Sequence, residues 1–429
     1  MPNQPWSKGH VPETLTAALL APAEQRDAAF RAIALQGRSR LASPRFGVLP
    51  WPASARGLTP FPADDSAQTA AELVELTTLL TRVADTPFRS IRNTFWSQGN
   101  PLDGLSETLL GPTRPPSVFR PEEQTAPEPY ISQLLLLPVP MGAMKAEQRY
   151  TLRTGAYGVT PETRAAMLRG SPTEAQRYGE SVYIHTPRAL ASAMHQDPPY
   201  LMGLHALLIL QSLGVRPSSL FPALPAEAGF TSYGGPAFAQ CLLAEASDRA
   251  FRDCWIVKYN PDPQQRRARP EELLATPERL HPLWHERGAP LLSEWNGHLP
   301  LPIAEGSPLH PSWVSGHAAT AAAEAVILMA LIADSPWPGV PLQASTDGTA
   351  LVTANTTALT IHREIRKWVW NKSFGRVALG VHYRSDITAG LLLGQAAAVQ
   401  LLQEAKAASL EPWGTTAFIG FDGQVVTIK

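Results

Sequence analysis

Cysteine is nearly absent from this chain, with two among 429 residues, Cys241 and Cys254. Two thiols cannot build a disulfide framework or a structural zinc site, so stability must come from a packed core. The two are able to pair with each other, but buried free thiols are the expectation. An excess of one charge is also missing. The 36 basic and 37 acidic residues nearly cancel, for a net charge of −1, and no long basic run occurs. That balance argues against a nucleic-acid partner. Long hydrophobic runs are lacking too. The longest, 206–210 and 325–333, are too short to span a bilayer, and Glu324 interrupts the stretch holding the second. Residues 1–10 are polar and have no apolar signal core. The expectation is a soluble protein, cytoplasmic by default, with neither membrane nor nucleic acid as partner.

What is present is enough apolar residue for a large core, 44% of the chain, and an unusual amount of proline. The 42 prolines are about twice the ordinary share and imply long, stiff connections. Helical periodicity is clear over 67–84, 199–213, 236–258, 316–333, 355–370 and 387–408, and weaker over 14–20, 23–35, 87–96, 160–168, 173–183 and 187–196. Stretches 44–62, 100–140, 260–270 and 289–311 read as proline-rich connections, with 130–136 a short ordered segment. No strand alternation is sustained in the first half. Asp422-Gly423 between apolar residues predicts a small hairpin over 418–429. The fold class is therefore all-α, with helical bundles joined by long loops.

Three stretches of the second half carry chemistry in combination. In the stretch 376–386, Arg376 offers a fixed cation, His382 an imidazole and Asp386 a carboxylate four residues on. On a shared helical turn the last two would touch, and the carboxylate would fix the ring's tautomer. Lys258 and the loop ending at Arg269 offer further cations for equatorial oxygens. Ser315 offers a hydroxyl, and Gly316, at a predicted helix start, an oriented N–H with room for close approach. His317 can move a proton at one apical oxygen, and His382 can face the other as metal ligand or nucleophile. Singly, each has a plainer reading. Ser-Gly-His is a helix cap, and His382 a satisfied core histidine. Arg266, Arg267 and Arg269 make a solvated loop, Lys258 snorkels, and Asp386 is an N-cap. Their order, spacing and type together point to an oxyanion site.

That order of motifs resembles the vanadium-dependent haloperoxidases and the related type 2 phosphatidic acid phosphatases. The phrases 129–133 (PYISQ), 305–312 (EGSPLHPS), 380–386 (GVHYRSD) and 421–423 (FDG) look like the algal and cyanobacterial bromoperoxidase branch in particular. The likeness runs from about residue 130 to the end. It implies an all-helical fold around two four-helix bundles, and one haloperoxidase-like unit over 1–429. Within it, 1–198 would be a helical and loop scaffold and 199–429 the active-site bundle. It implies vanadate as cofactor, with His382 bonded to vanadium, oriented by Asp386. Lys258, Arg269, Ser315, Gly316 and Arg376 would hold the oxygens, with His317 beside the apical hydroxide and Lys258 also activating the oxidant. His310 either matches an additional histidine that tunes halide use or is a plain loop histidine. Hydrogen peroxide, a halide and a small organic acceptor would be the partners, in a homo-oligomer.

Two departures stand out. Lys258 and Arg269 are eleven residues apart, where seven or eight is usual, although Arg266 lies at eight; the Ala-Arg-Pro-Glu context favours Arg269. Val314 replaces a commoner proline, which alters loop stiffness more than chemistry. Trp255, three residues before Lys258, is either core or the lining of a halide pocket, and Trp313 is in the same position. Arg384 is expected in a salt bridge with Asp386 or another acid.

Two rival readings use the same residues. A phosphomonoesterase would attack phosphorus with His382 and protonate the leaving oxygen with His317. A non-catalytic helical protein would have kept only the scaffold. Chain length and the lack of membrane-spanning runs favour the haloperoxidase over the family's phosphatases.

Overall fold

The computed structural model describes residues 60–90, 128–195, 198–221, 235–259, 266–356, 359–409 and 413–429, with a few single positions between them. The helices expected over 14–20 and 23–35, and most of the loop over 44–62 and the helix over 87–96, lie outside the described residues. In chain order the helices are α1 Ala67–Thr78, α2 Pro161–Leu168, α3 Pro187–Ala193, α4 Leu201–Ser212, α5 Pro236–Lys258, α6 Pro270–Leu273, α7 Gly316–Leu331, α8 Ile361–Ala378 and α9 Arg384–Ala408. The described strands are short and pair only as antiparallel couples. They are β1 Val139–Met141 with β2 Met144–Ala146, β3 Tyr150–Thr154 with β4 Arg177–Val182, β5 Leu342–Ala344 with β6 Leu351–Thr353, and β7 Thr416–Ile419 with β8 Val425–Ile428. The all-α expectation is met.

The centre is α7. Its alanine-rich sequence has no bulk to hold neighbours away, and α5, α8 and α9 all pack on it. Every residue of α7 except His317 is buried. Ser315 caps the helix, its hydroxyl accepting from the Ala318 N–H at 3.4 Å. Helix α5 opens on Pro236, whose missing N–H is harmless in a first turn. Helix α1 is capped by Ser66, is almost wholly buried, and runs on into a single π turn over Leu79–Val83. It carries Glu72 and Glu75 inside the protein, and buried carboxylates require partners.

Several expectations change. Residues 173–183 do not form a helix: Arg177–Val182 is strand β4, with Tyr150 opposite Val182 and Thr151 opposite Ser181. Gly179 disfavours a helix there, and cross-strand partners decide the matter. The first half also contains β1 to β3, each too short to show an alternating pattern; Gly142, at φ 62°, makes the tight β1–β2 turn. The connection over 289–311 contains a 3-10 turn, Ala289–Trp295. The helix expected over 355–370 is displaced. Thr360 caps α8, its hydroxyl accepting from the Arg363 N–H at 3.4 Å, and the helix continues through Arg376. The phrase 129–133 pins α8 from outside. Ser132 donates its N–H to Asn371 Oδ1 at 2.9 Å, and Gln133 its N–H to Glu364 Oε2 at 2.8 Å. The C-terminal hairpin forms as expected, with Gly423 at φ 77°. Both cysteines are free, but only Cys254 is buried; Cys241 is exposed.

Among the described residues one helix, α9, is long and apolar enough to cross a membrane, and most of its apolar window is buried inside the protein.

Candidate active site

His382 and Asp386 do meet, but not on a helical face. Tyr383 is the N-cap of α9, so His382 lies just before the helix and Asp386 within its first turn. Asp386 Oδ2 accepts from the Tyr383 N–H at 3.1 Å and lies 3.1 Å from His382 Nδ1. The carboxylate thus caps the helix and orients the ring together. Its other oxygen, Oδ1, accepts from Arg267 Nη1 at 2.9 Å. Burial alone would raise the Asp386 carboxyl, but Arg267 and the His382 bond outweigh it and hold it at about 2. Burial drives His382 the other way, down to about 3 despite Asp386, with Lys258 and Arg376 adding to the fall. At neutral pH the ring is uncharged. With an ionised carboxylate at Nδ1, that nitrogen carries the hydrogen and Nε2 keeps its lone pair.

The start of α7 abuts this pair. The Ser315 N–H donates to the Asp386 carbonyl at 3.0 Å, which sets the start of the Ser315-Gly316-His317 motif against Asp386. A methyl group on Gly316 would make only ordinary contacts with Phe251 and Cys254, at 3.5 Å and 3.6 Å. Protein packing does not demand the glycine. Burial pushes the Cys254 thiol up to about 11.

Two cations close the site. Lys258, buried at the end of α5, donates to the Pro311 carbonyl at 2.7 Å and the Ser312 carbonyl at 3.0 Å. That uses two of its three donors. Burial lowers its pKa, against the nearby charge of Asp386. Arg376 donates from Nη1 to the Met194 carbonyl at 2.9 Å and the His195 carbonyl at 3.3 Å. His310 has Nδ1 2.9 Å from the Pro311 carbonyl. Burial depresses it well below the ordinary histidine range, with help from Lys258, His382 and Arg376.

Other candidates have partners of their own. Arg269 is buried in a cluster of its own: it is ion-paired with Glu271 at 3.3 Å and with Glu272, and donates to the Ser307 carbonyl at 3.0 Å. Glu271 also pairs with Arg164 at 3.0 Å. Trp255 packs its ring on Phe251, centroids 4.7 Å apart, and Trp313 lies 5.8 Å from Phe61. Arg384 forms its salt bridge with Glu75, not Asp386.

Two further residues support this arrangement. Arg267, read as part of a solvated loop, is fully buried; its Nη2 donates to Glu72 Oε2 at 2.9 Å, and its guanidinium lies 3.7 Å from the Tyr383 ring centroid. Glu72 in turn accepts from the Ser385 N–H at 3.0 Å. Helix α1 therefore grips the start of α9 through Glu72 and Glu75. The available signal was two acids at i, i+3 inside an otherwise apolar helix, which need cations somewhere in the fold.

Residues 264–407 match the PAP2 superfamily. The chain is 29% identical to the vanadium-dependent bromoperoxidase of Ascophyllum nodosum over 426 residues, covering 87% of this chain and 74% of that protein. It is 31% identical to the vanadium-dependent bromoperoxidase of Corallina pilulifera over 258 residues, covering 52% and 42%. The fold matches the homohexameric second vanadate-dependent bromoperoxidase of Ascophyllum nodosum with a TM-score of 0.74 at 18% identity, covering 100% of this chain and 83% of that one. The chain is therefore similar to PAP2-superfamily proteins over 264–407 and to a vanadium-dependent bromoperoxidase over most of its length.

Proposed function

We propose that this chain is a vanadate-dependent haloperoxidase, oxidising bromide or iodide with hydrogen peroxide to a hypohalous acid equivalent that halogenates small organic acceptors. The observation that carries this reading is the His382–Asp386 pair at 3.1 Å. It presents a neutral imidazole with a lone pair on Nε2, beside two buried cations and the start of α7.

The donor set fits a tetrahedral oxyanion. Bound vanadate would supply a Lewis-acidic centre that activates hydrogen peroxide for two-electron oxidation of halide. His382 Nε2 would be its protein ligand. Lys258 and Arg376 bring fixed positive charge, and Ser315 with the Gly316 N–H bring oriented donors at a helix N-terminus. The third N–H of Lys258 is the one left to reach an anion oxygen. Arg269, which Glu271 and Glu272 engage, would be the further cation of the set by its place in the motif. His317 would hold or move a proton beside the bound anion. His310 tunes the site and, with Trp255, lines the halide side. Glu72 comes from the first half of the chain, and Met194 and His195 bind Arg376 there too. Those ties support one functional unit over 1–429, with 1–198 the scaffold and 199–429 the active-site bundle. Assembly as a homo-oligomer accompanies this reading.

The test is reconstitution of the purified protein with vanadate, followed by bromination of a phenol or diketone with peroxide. Turnover with bromide or iodide that depends on vanadate is expected. Bound vanadate without turnover of either halide would overturn the proposal. Release of phosphate from an aryl phosphate, abolished by His382→Ala, would instead mark a phosphomonoesterase.

A further inference from the structure

We propose that Arg267 is a positioning residue for the anion site, held in place by Glu72. The inference rests on the reading of His382 as the ligand to a bound oxyanion. Arg267 stands between two buried carboxylates. One guanidinium nitrogen donates to Asp386 Oδ1 at 2.9 Å and to Ser385 Oγ at 2.6 Å. Another donates to Glu72 Oε2 at 2.9 Å and to Thr69 Oγ1 at 3.3 Å. Arg267, Glu72 and Asp386 have no exposed side-chain surface. A planar fork with two outward edges is what this place requires, and a single ammonium cannot serve both acids in the same way.

The arrangement reaches both walls of the site. Through its side chain Arg267 fixes Asp386, whose second oxygen orients His382. Through its main chain it fixes the other wall: the Arg267 carbonyl accepts the Ser312 N–H at 3.0 Å, and the Ser312 carbonyl accepts from Lys258 at 3.0 Å. The Tyr383 ring, 3.7 Å from the guanidinium, packs it from one face. Without Arg267, Glu72 and Asp386 would face each other with no cation between them. Asp386 would be pushed out of line with His382 Nδ1, and the direction of Nε2 would be lost. The loop that makes Lys258 and Arg269 unusually far apart is thus where this chain carries the cation for its His-Asp pair.

The test uses the full chain and three variants, Arg267→Met, Arg267→Lys and Glu72→Gln. Affinity for inorganic vanadate and for inorganic phosphate is measured by equilibrium titration. Nitrogen NMR of histidine-labelled, anion-free protein reports the His382 ring, and thermal melts report folding. Arg267→Met is expected to bind both anions about 10–100-fold more weakly, the usual cost of removing a ligand's supporting partner. Its His382 nitrogen signals should shift, and Arg267→Lys should recover part of the affinity. Glu72→Gln should weaken binding in the same direction by less, and it decides the question if Arg267→Met does not fold. Wild-type affinity and an unshifted His382 signal in folded Arg267→Met, or in Glu72→Gln should the first variant not fold, would overturn the inference. A wild-type chain that binds vanadate but oxidises no halide overturns the proposed function while leaving this one standing.

Discussion

Gly390 of α9 lies against the Ser315 carbonyl so closely that a methyl group on it would sit 2.6 Å from that oxygen and 2.8 Å from Ala318 Cβ. One turn on, a methyl on Gly394 would come 1.9 Å from the Ala319 carbonyl oxygen. The backbones of α7 and α9 therefore touch at the point where Ser315 and Gly316 begin α7. Gly390→Ala gains helix propensity of about 1 kcal/mol, but it forces the two helices apart. Overpacking of this kind costs roughly 1–3 kcal/mol. The expected outcome is a net loss of stability in chemical denaturation together with weaker vanadate binding, because the start of α7 moves from His382. Unchanged vanadate affinity in a destabilised Gly390→Ala would show that the contact serves packing alone.

Glu75 and Arg384 form a second buried tie between α1 and α9, with Arg384 Nε 2.9 Å from Glu75 Oε2. The guanidinium also lies 5.5 Å from the Trp370 ring centroid and 5.7 Å from that of Phe374. Breaking one member of such a pair strands a buried charge, at a cost of about 3–5 kcal/mol. Arg384→Met and Glu75→Gln are each expected to lose stability on that scale. The double variant should lose less than the sum of the two. A double-mutant cycle in urea measures the coupling, and strict additivity would refute it.

These ties explain what could and could not be read from the chain. Helices α5, α7 and α9 were legible because long apolar periods and local caps determine them. The hairpin at Asp422-Gly423 was legible from its turn chemistry. Ser315, Gly316 and His382 stood in motifs where neighbours define one another. Arg267 did not, because the acid that holds it is 195 residues away, and nothing local separates a buried arginine from its neighbours Arg266 and Arg269. The meeting of His382 with Asp386 was legible, yet its cause was not: the capping geometry at Tyr383, instead of a helical face, brings them together. Strand β4 was hidden for the same reason as Arg267. Its partner β3 lies beyond an intervening helix, and strand pairing is decided by that partner.

Five of the described histidines have their pKa displaced in the same direction. Burial lowers His195, His205, His298 and His310, and takes His382 from 6.5 to about 3. In the unfolded chain these rings take up protons near 6.5. Below that pH the unfolded state binds protons that the folded state refuses, so folding stability falls as pH drops. The contribution is fully present above about 6.5 and for His382 is lost progressively on the way down to about 3. The melting temperature is expected to decline steadily from pH 7 to pH 5, ahead of most carboxylate titration, and His310→Gln should flatten part of the slope. A melting temperature that stays level across that interval would contradict the buried, neutral histidines.

Lys258 combines a structural and a chemical duty, and the two separate by measurement. Its ammonium holds the Pro311 and Ser312 carbonyls at 2.7 Å and 3.0 Å, hydrogen bonds to a charged group worth about 1.5–3 kcal/mol each. Lys258→Met keeps most of the length of the side chain and removes the charge. It should lower the melting temperature through those carbonyls, and it should also weaken vanadate binding by removing a cation from the anion's surroundings. The decisive quantity is turnover in enzyme saturated with vanadate. If the third N–H of Lys258 acts on the oxidant, kcat for bromide oxidation falls even when the cofactor site is full, an effect that stability cannot produce. If Lys258 only braces the loop at Pro311 and Ser312, saturating vanadate restores kcat to the wild-type value while the melting temperature stays low.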